Sequence, residues 1–354
     1  MPTIAQQQTT RFARAGGRDE NHDFHTRRHA ARRRNPWPGV RTMTTAFFSH
    51  PDCRKHDMGR GHPECPARID AIEDHFLATG LADVVARHDD APLATRADLA
   101  HAHASNYLSE LDETFAKVAE TGELTSVDPD TAACRHTRQA ALRAAGAAVA
   151  ATDLVIDGQA ENAFCAIRPP GHHATRDAAM GFCFYNNVAI AARHALDVRG
   201  LQRVAIVDFD VHHGNGTEDI IANDERVLMV SFFQDKLYPF CGNVPMGDNM
   251  LNVPVPAYTK GAAVREIVEQ QWLPLLEKFK PEMIFVSAGF DAHRDDDLGR
   301  MGLVEADYEW ITSRLLDVAK RHAQGRIVSC LEGGYNLGAL ARSAAAHVRV
   351  LAGV

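Results

Sequence analysis

The chain has 354 residues, 45% of them hydrophobic, which is enough to bury a large core. No apolar run approaches the roughly 20 residues of a membrane span, and the net charge of −8 argues against direct binding to nucleic acid. The seven cysteines are scattered and odd in number. This usage is typical of a reducing compartment and not of a disulfide scaffold, so we expect a cytoplasmic protein with no membrane partner.

The first 42 residues differ in composition from the remainder. They contain nine Arg and three acidic residues, whereas the rest of the chain is strongly acidic. Polar, Arg-rich sequence without a clear period predicts a disordered tail over residues 1–42. A targeting peptide is an alternative interpretation, as is a biological start at Met43. In each case we predict one domain over residues 43–354.

From Met43 onward, short apolar runs alternate with helical segments. The predicted strands are 44–50, 162–167, 203–210, 226–232, 282–289 and 326–334. The predicted helices are 66–79, 131–152, 184–199, 260–280, 304–323 and 337–352. Such alternation favours a single-domain α/β fold, with a mainly parallel central sheet flanked by helices on both faces. The later strands are apolar almost throughout, as expected for strands buried on both sides.

Four polar clusters follow predicted strands. They read RPPGHHA (168–174), DFDVHHGNG (208–216), SAGFDAH (287–293) and LEGGYN (331–336). Sites in open parallel sheets form beyond the carboxyl ends of the strands, so these clusters are expected to converge on one crevice. Within the second cluster, Asp208, Asp210 and His212 stand at alternate positions, which would put them on one face of a strand.

A metal explains why two carboxylates and an imidazole would share that space. Asp210, His212 and Asp291 supply three protein ligands and leave a position open for water, which is typical of catalytic zinc. The same mixed N/O set suits Fe²⁺ or Mn²⁺. Asp208 is then either a fourth ligand or an acceptor that orients an imidazole.

The remaining clusters supply groups for proton transfer and charge stabilisation. His172 and His173 are adjacent on a turn made rigid by two prolines, and such a pair can serve as base and acid. Tyr335 follows two glycines, and its phenol could donate a hydrogen bond to a developing oxyanion. A tyrosine at a turn is more commonly structural, so the functional interpretation of Tyr335 depends on the other three clusters.

Taken together, these motifs resemble the zinc-dependent histone deacetylase family, including its class II-like bacterial amidohydrolases and the acetylpolyamine amidohydrolases. The resemblance runs from about residue 44 to the C-terminus and also includes GHPECPAR (61–68) and GFCFYNN (181–187). It implies an arginase-like α/β fold with one catalytic Zn²⁺ per chain, or Fe²⁺, and deacetylation of an acetylated amine.

The resemblance also implies a role for each matching residue. Zinc would be held by Asp210, His212 and Asp291. His173 would be the general acid/base, His172 its electrostatic partner held by Asp208, and Tyr335 the phenol that polarises the carbonyl. The substrate tunnel would comprise Gly181, Phe182, Tyr238 and Leu298. A structural K⁺ or Na⁺ would lie near Asp208, Asp210, His212, Ser231 and Phe232. Some relatives place an acid behind the general base, where this chain has Asn215.

Several alternatives remain at this level. A two-metal ureohydrolase would need an Asp where Gly214 stands, and a non-enzymatic role would not call for both Tyr335 and the histidine pair. Cys53, His56, His62 and Cys65 have the spacing of a zinc knuckle, although they overlie the predicted site entrance.

Two hypotheses about the substrate also remain open. Apolar Leu298 at the tunnel rim favours acetyl-lysine in peptides or proteins, and the neighbouring acids Asp295, Asp296 and Asp297 would suit an acetylpolyamine. Of these acids, Asp296 is expected to turn inward or cap a turn. Homo-oligomerisation is compatible with either substrate.

Overall fold

The computed structural model describes residues 44–354. A central sheet of eight strands, all parallel, positions every part of the site. Its order is β2-β1-β5-β10-β9-β6-β7-β8, and a separate antiparallel hairpin pairs β3 with β4. The ten strands of the described residues are β1 Thr45–Phe48, β2 Ala86–His88, β3 Thr125–Asp128, β4 Thr131–Ala133, β5 Asn162–Cys165, β6 Val204–Asp208, β7 Val227–Gln234, β8 Met250–Val255, β9 Met283–Ala288 and β10 Ile327–Leu331.

Ten α-helices connect these strands within residues 44–354. They are α1 Ala67–Ala78, α2 Arg96–Ala100, α3 Ser105–Thr121, α4 Thr137–Ile156, α5 Asn187–Asp197, α6 Asn215–Ile221, α7 Gly261–Ile267, α8 Leu273–Phe279, α9 Glu305–His322 and α10 Leu337–Ala352. The predicted α/β fold with helices on both faces of a mainly parallel sheet is therefore confirmed. The predicted tail over residues 1–42 lies outside the described residues.

The sheet separates two hydrophobic cores, because successive side chains on a strand point to opposite faces. On β6, Val204 and Ile206 pack into the core that includes α3, α4 and α5, and Ala205 and Val207 pack into the other. The second core is built largely from α1, α9, α10 and the fully buried Trp272. Both faces of the central strands are thus covered, which explains their near-continuous apolar sequence.

Helix α4 is the one described helix that is long and apolar enough to cross a membrane by length and composition alone. Its alanines lie in the first core, and it packs against α5 and β5. This environment is that of the core helix of a globular domain.

Some predicted element bounds were wrong. Strand β6 ends at Asp208, because the Asp208 and Asp210 carboxylates accept hydrogen bonds from the Asp210 and His212 amides, which therefore do not continue the ladder. Residues 131–133 form β4, and the helix begins only at Thr137. The predicted helix 260–280 is α7 and α8 joined by a π-helical turn, Val268–Trp272.

Other elements were not predicted from the sequence: β2, β3, β8, α2, α3 and α6. Strand β8 contains Pro254, which reads as a strand breaker but is tolerated at the edge of a sheet.

Candidate active site

The site lies where four adjacent strands end. Strands β5, β10, β9 and β6 are neighbours in the sheet, and each predicted polar cluster follows one of them. The loop after β5 carries the histidine pair, and the loops after β6 and β9 carry the carboxylates and His212. The loop after β10 ends in Tyr335, directly before Asn336 caps helix α10 by accepting from the Ala339 N–H.

Asp210, His212 and Asp291 form a buried cluster whose potential ligand atoms lie within 4.8 Å of one another. His212 Nδ1 is 3.0 Å from Asp210 Oδ1 and 3.1 Å from Asp291 Oδ2. The three residues therefore converge as predicted, but not by strand alternation, since Asp210 and His212 lie in the loop after β6. Burial and the negative charge of Asp210 raise the pKa of Asp291 to about 7, as expected for carboxylates that share a desolvated space.

Backbone packing fixes these carboxylates on the side away from His212. The Gly333 N–H donates to Asp210 Oδ2 over 2.8 Å, and the Val211 N–H donates to Asp291 Oδ1 over 2.9 Å. A Cβ at Gly333 would stand 2.0 Å from Asp291 Oδ2. Gly333 is therefore required here for the close approach of its backbone to the carboxylates.

The adjacent histidines have different partners. His172 Nδ1 lies 3.0 Å from Asp208 Oδ2. Burial alone would lower the pKa of His172, but Asp210 and Asp208 outweigh it and raise the pKa to about 10. Asp208 therefore faces His172, as expected for an orienting acceptor.

His173 is buried beside the cluster, with Nδ1 2.8 Å from the side-chain oxygen of Asn215. Because an amide oxygen only accepts, Nδ1 carries the proton and Nε2 keeps a free lone pair. Burial, His172 and His212 hold the pKa of His173 well below its usual range. The ring is thus neutral, and its Nε2 carries no proton.

Tyr335 is half-buried at the same cavity. Burial and the negative charge of Asp291 raise the pKa of its phenol well above the usual range, so the hydroxyl remains a donor. The guanidinium of Arg68 lies 5.0 Å from the centre of the Tyr335 ring.

A cavity of about 230 Å³ leads to these groups. All four residues predicted for the tunnel line it: Gly181, Phe182, Tyr238 and Leu298. The Phe182 and Tyr335 rings meet edge to face at 6.0 Å, and Tyr238 packs in the same way on His173 at 5.1 Å. The cavity is therefore a passage lined by aromatic rings and by the polar side chains of Asp130, His173 and His212.

The residues predicted to hold a monovalent cation are also neighbours. Ser231 lies opposite Asp208 in the register of β6 and β7, and Phe232 follows it in the core. Among the described residues, the buried hydroxyl of Ser231 has no hydrogen-bond partner. A buried polar atom of this kind is compatible with an ion ligand.

Sequence reasoning missed three residues of the site. Asp130 and Leu237 line the cavity, and buried Glu332 accepts hydrogen bonds from the Gly171 and His172 amides over 2.6 and 3.1 Å. Glu332 could have been found, because it stands in the LEGGYN cluster, and burial raises its pKa to about 7. Asp130 carried no such signal, since it follows an unpredicted hairpin strand.

The zinc-knuckle hypothesis is wrong for the described residues, in which the Asp210 cluster is the one group with metal-site geometry. His56 Nδ1 is 2.8 Å from the Thr137 hydroxyl, and His62 accepts from the Glu64 amide. These side chains order the entrance loop. All seven cysteines lie in the described part of the chain and are free.

The chain is similar to known proteins over most of its length. The model of the histone deacetylase domain family matches residues 62–351. The chain is 35% identical to a histone deacetylase-like amidohydrolase of Pseudomonas aeruginosa, covering 83% of this chain and 82% of that protein. It is 38% identical to histone deacetylase 14, chloroplastic, of Arabidopsis thaliana, covering 82% and 73%. The crystal structure of the HDA15 HD domain superposes with a TM-score of 0.81 at 31% identity, covering 88% of this chain and 90% of that one.

Proposed function

This chain belongs to the histone deacetylase family, and we propose that it removes the acetyl group from acetyl-lysine in peptides or proteins. Family membership and relatives named as deacetylase and amidohydrolase establish a hydrolytic deacetylase that acts on acetylated amines. The proposal concerns the substrate and the residues that carry the reaction.

The three-residue cluster fits the zinc that the family generally uses. Asp210, His212 and Asp291 offer two carboxylates and one imidazole, all buried, and three ligands leave a position open. A divalent cation would offset the charge that now raises the pKa of Asp291. When bound there, the metal would supply Lewis-acid chemistry, polarising a carbonyl and lowering the pKa of water.

His173 is placed to move the proton in this reaction. Its Nε2 lone pair accepts a proton from the attacking water, while Asn215 holds the proton on Nδ1. The same Nε2–H then protonates the amine as the C–N bond breaks, so acetate and a free amine are released. His172, held by Asp208, supplies positive charge beside the reacting groups.

Tyr335 is placed to stabilise the charge that forms on the acetyl oxygen. Its phenol stays protonated and lines the end of the cavity opposite the Phe182 ring. A donor fixed in a site with little water gives more stabilisation to an oxyanion than to a neutral carbonyl.

The observation that carries the acetyl-lysine assignment is the apolar wall of the passage. Phe182, Tyr238 and Leu298 would enclose the four methylene groups of a lysine side chain, with the acyl end at His173 and Tyr335. Leu298 itself provides no charge to select a second ammonium.

A second candidate is an acetylpolyamine or another small acylated amine. Asp130 lines the cavity, and exposed Asp297 is next to Leu298 in the chain, so either carboxylate could pair with a distant ammonium. Asp295 is not free for this purpose, since its carboxylate lies 3.4 Å from the Arg342 guanidinium.

The test compares turnover of an acetyl-lysine peptide with turnover of acetylputrescine and acetylspermidine, by protein reconstituted with one zinc per chain. Tyr335→Phe is the catalytic variant, and Tyr258→Phe, at an exposed tyrosine, is the matched control. We expect peptide turnover in the wild type and control, and a fall in kcat of about 100- to 1,000-fold in Tyr335→Phe. Preference for the polyamines would transfer the assignment to the second candidate. If zinc-loaded protein turned over none of these substrates, the proposal that acetyl is the acyl group removed would be wrong.

The remaining expectations extend this proposal. We propose a structural K⁺ or Na⁺ near Ser231, on the basis of its unpartnered hydroxyl among the described residues. Fe²⁺ as an alternative metal, cytoplasmic localisation, homo-oligomerisation and the absence of nucleic-acid binding stay predictions.

A further inference from the structure

Asp296 is a buried carboxylate that joins two loops of the site. It is 6% exposed, whereas its neighbours Asp295 and Asp297 are exposed. One carboxylate oxygen, Oδ2, accepts from the Tyr335 N–H over 2.6 Å and from the Asn336 N–H over 2.9 Å. The other, Oδ1, accepts from the Leu298 N–H over 3.1 Å. The side chain thus turns inward, as the sequence suggested, and is unavailable as an acid at the rim.

The segment that Asp296 holds needs such an anchor. Tyr335 follows two glycines, and Gly334 has φ +120°, a conformation that L side chains rarely adopt. Backbone that is free to turn before Tyr335 would leave its phenol poorly fixed. On one side Arg68 Nε donates to the Gly334 carbonyl over 2.7 Å, and on the other Asp296 binds the amides of the next two residues.

We propose that Asp296 is a positioning residue for deacetylation, which fixes the phenol of Tyr335 and the Leu298 wall of the passage in one arrangement. The inference rests on the proposed function, in which Tyr335 stabilises the acetyl oxygen. Hydrogen bonds from backbone amides to a carboxylate are charge-assisted and short, so this anchor is stiff. Asp296 itself does not line the cavity.

Asp296→Asn weakens the anchor with little change in volume. The carboxamide has one acceptor oxygen, and its NH₂ group must face either Leu298 N–H or the Tyr335 and Asn336 pair. A donor then opposes a donor in either orientation. Asp295→Asn is the matched control, because it makes the same charge change one residue away at a carboxylate that faces Arg342.

A double-mutant cycle separates positioning of Tyr335 from a general loss of structure. The proteins are wild type, Asp296→Asn, Tyr335→Phe and the double variant, each loaded with zinc and assayed on the acetyl-lysine peptide. We expect Asp296→Asn to lower kcat and kcat/KM together by about tenfold. In the Tyr335→Phe background the same change should cost less than about twofold, since the phenol it positions is gone. An equal loss in both backgrounds would overturn the inference.

A second measurement does not depend on activity. The chain has six tyrosines, so labelling with 3-fluorotyrosine gives a simple ¹⁹F NMR spectrum, in which Tyr335 is the resonance missing from Tyr335→Phe. We expect this resonance to shift or broaden in Asp296→Asn and to stay unchanged in Asp295→Asn. An unchanged resonance in Asp296→Asn would overturn the inference even if turnover fell. If Tyr335→Phe kept full activity, the proposed role of Tyr335 would be wrong. The ¹⁹F spectrum would then test by itself whether Asp296 fixes the Tyr335 side chain.

Discussion

Replacing Gly333 with Ala is expected to weaken metal binding severely while leaving the fold intact. The added Cβ would stand 2.0 Å from Asp291 Oδ2 and 2.6 Å from Asp210 Oδ2, whereas ordinary contacts begin at 3.4 Å. To restore an ordinary contact with the new Cβ, the Asp291 oxygen would therefore have to move by more than 1 Å. Metal–ligand distances tolerate only about 0.2 Å, so the site cannot adapt by a small shift.

The measurement is the zinc dissociation constant, from competition with a chromophoric chelator, together with metal content per chain. We expect the affinity of Gly333→Ala to fall by about 100-fold or more, the upper end of the effect of changing a group that supports a ligand. Gly338→Ala in α10 is the matched control, since its Cβ would meet the end of the flexible Arg342 side chain at 3.3 Å and Asn336 Oδ1 at an ordinary 3.6 Å. Thermal unfolding of the metal-free proteins checks that both variants fold. Wild-type affinity in Gly333→Ala would refute the assignment of Asp210 and Asp291 as ligands.

Three further substitutions test other parts of the site. Asn215→Asp places a carboxylate beside His173 Nδ1, which favours the imidazolium, so the acid limb of the pH profile of kcat/KM should move upward by about one to three units. A limb that stays in place would exclude His173 as the base. Glu64→Gln leaves the buried Arg168 guanidinium without its charge partner and should lower the free energy of unfolding by about 3–5 kcal/mol near neutral pH. Burial opposes ionisation of Glu64, but Arg168 lowers its pKa from 4.5 to about 2, so the wild-type advantage is full above pH 4.5 and disappears as pH falls toward 2. Chemical denaturation at pH 7 and pH 3 checks this, and an equal gap at both values would contradict it. Leu298→Glu should raise the ratio of acetylspermidine to peptide turnover by about tenfold, because a rim carboxylate can pair with the distant ammonium. The measurement is kcat/KM for both substrates, and an unchanged ratio would show that residue 298 does not select between them.

The alternation of apolar strands with helices was sufficient to predict the parallel sheet, because strands covered on both faces must be apolar throughout. Turn and edge elements were harder to predict. Strands β3 and β4 of the hairpin are only four and three residues long, so their sequence shows no clear alternation of apolar and polar residues. Edge strand β8 carries Pro254 and shows no clear alternation either. With that hairpin unpredicted, Asp130 could not be placed in the cavity.

The sequence by itself determined which chemical groups are present and at which strand ends they stand. Asp210, His212 and Asp291 could be grouped because parallel strands bring their carboxyl ends to one edge. Only the tertiary structure decided how those groups are held. The run of three acids predicted that Asp296 turns inward or caps a turn, but not that its carboxylate binds backbone amides 39 and 40 positions away. Gly333 gives no sign in the sequence that its missing Cβ makes room for two carboxylates. Both facts depend on contacts between loops that are distant in the chain, and local pattern carries no information about such contacts.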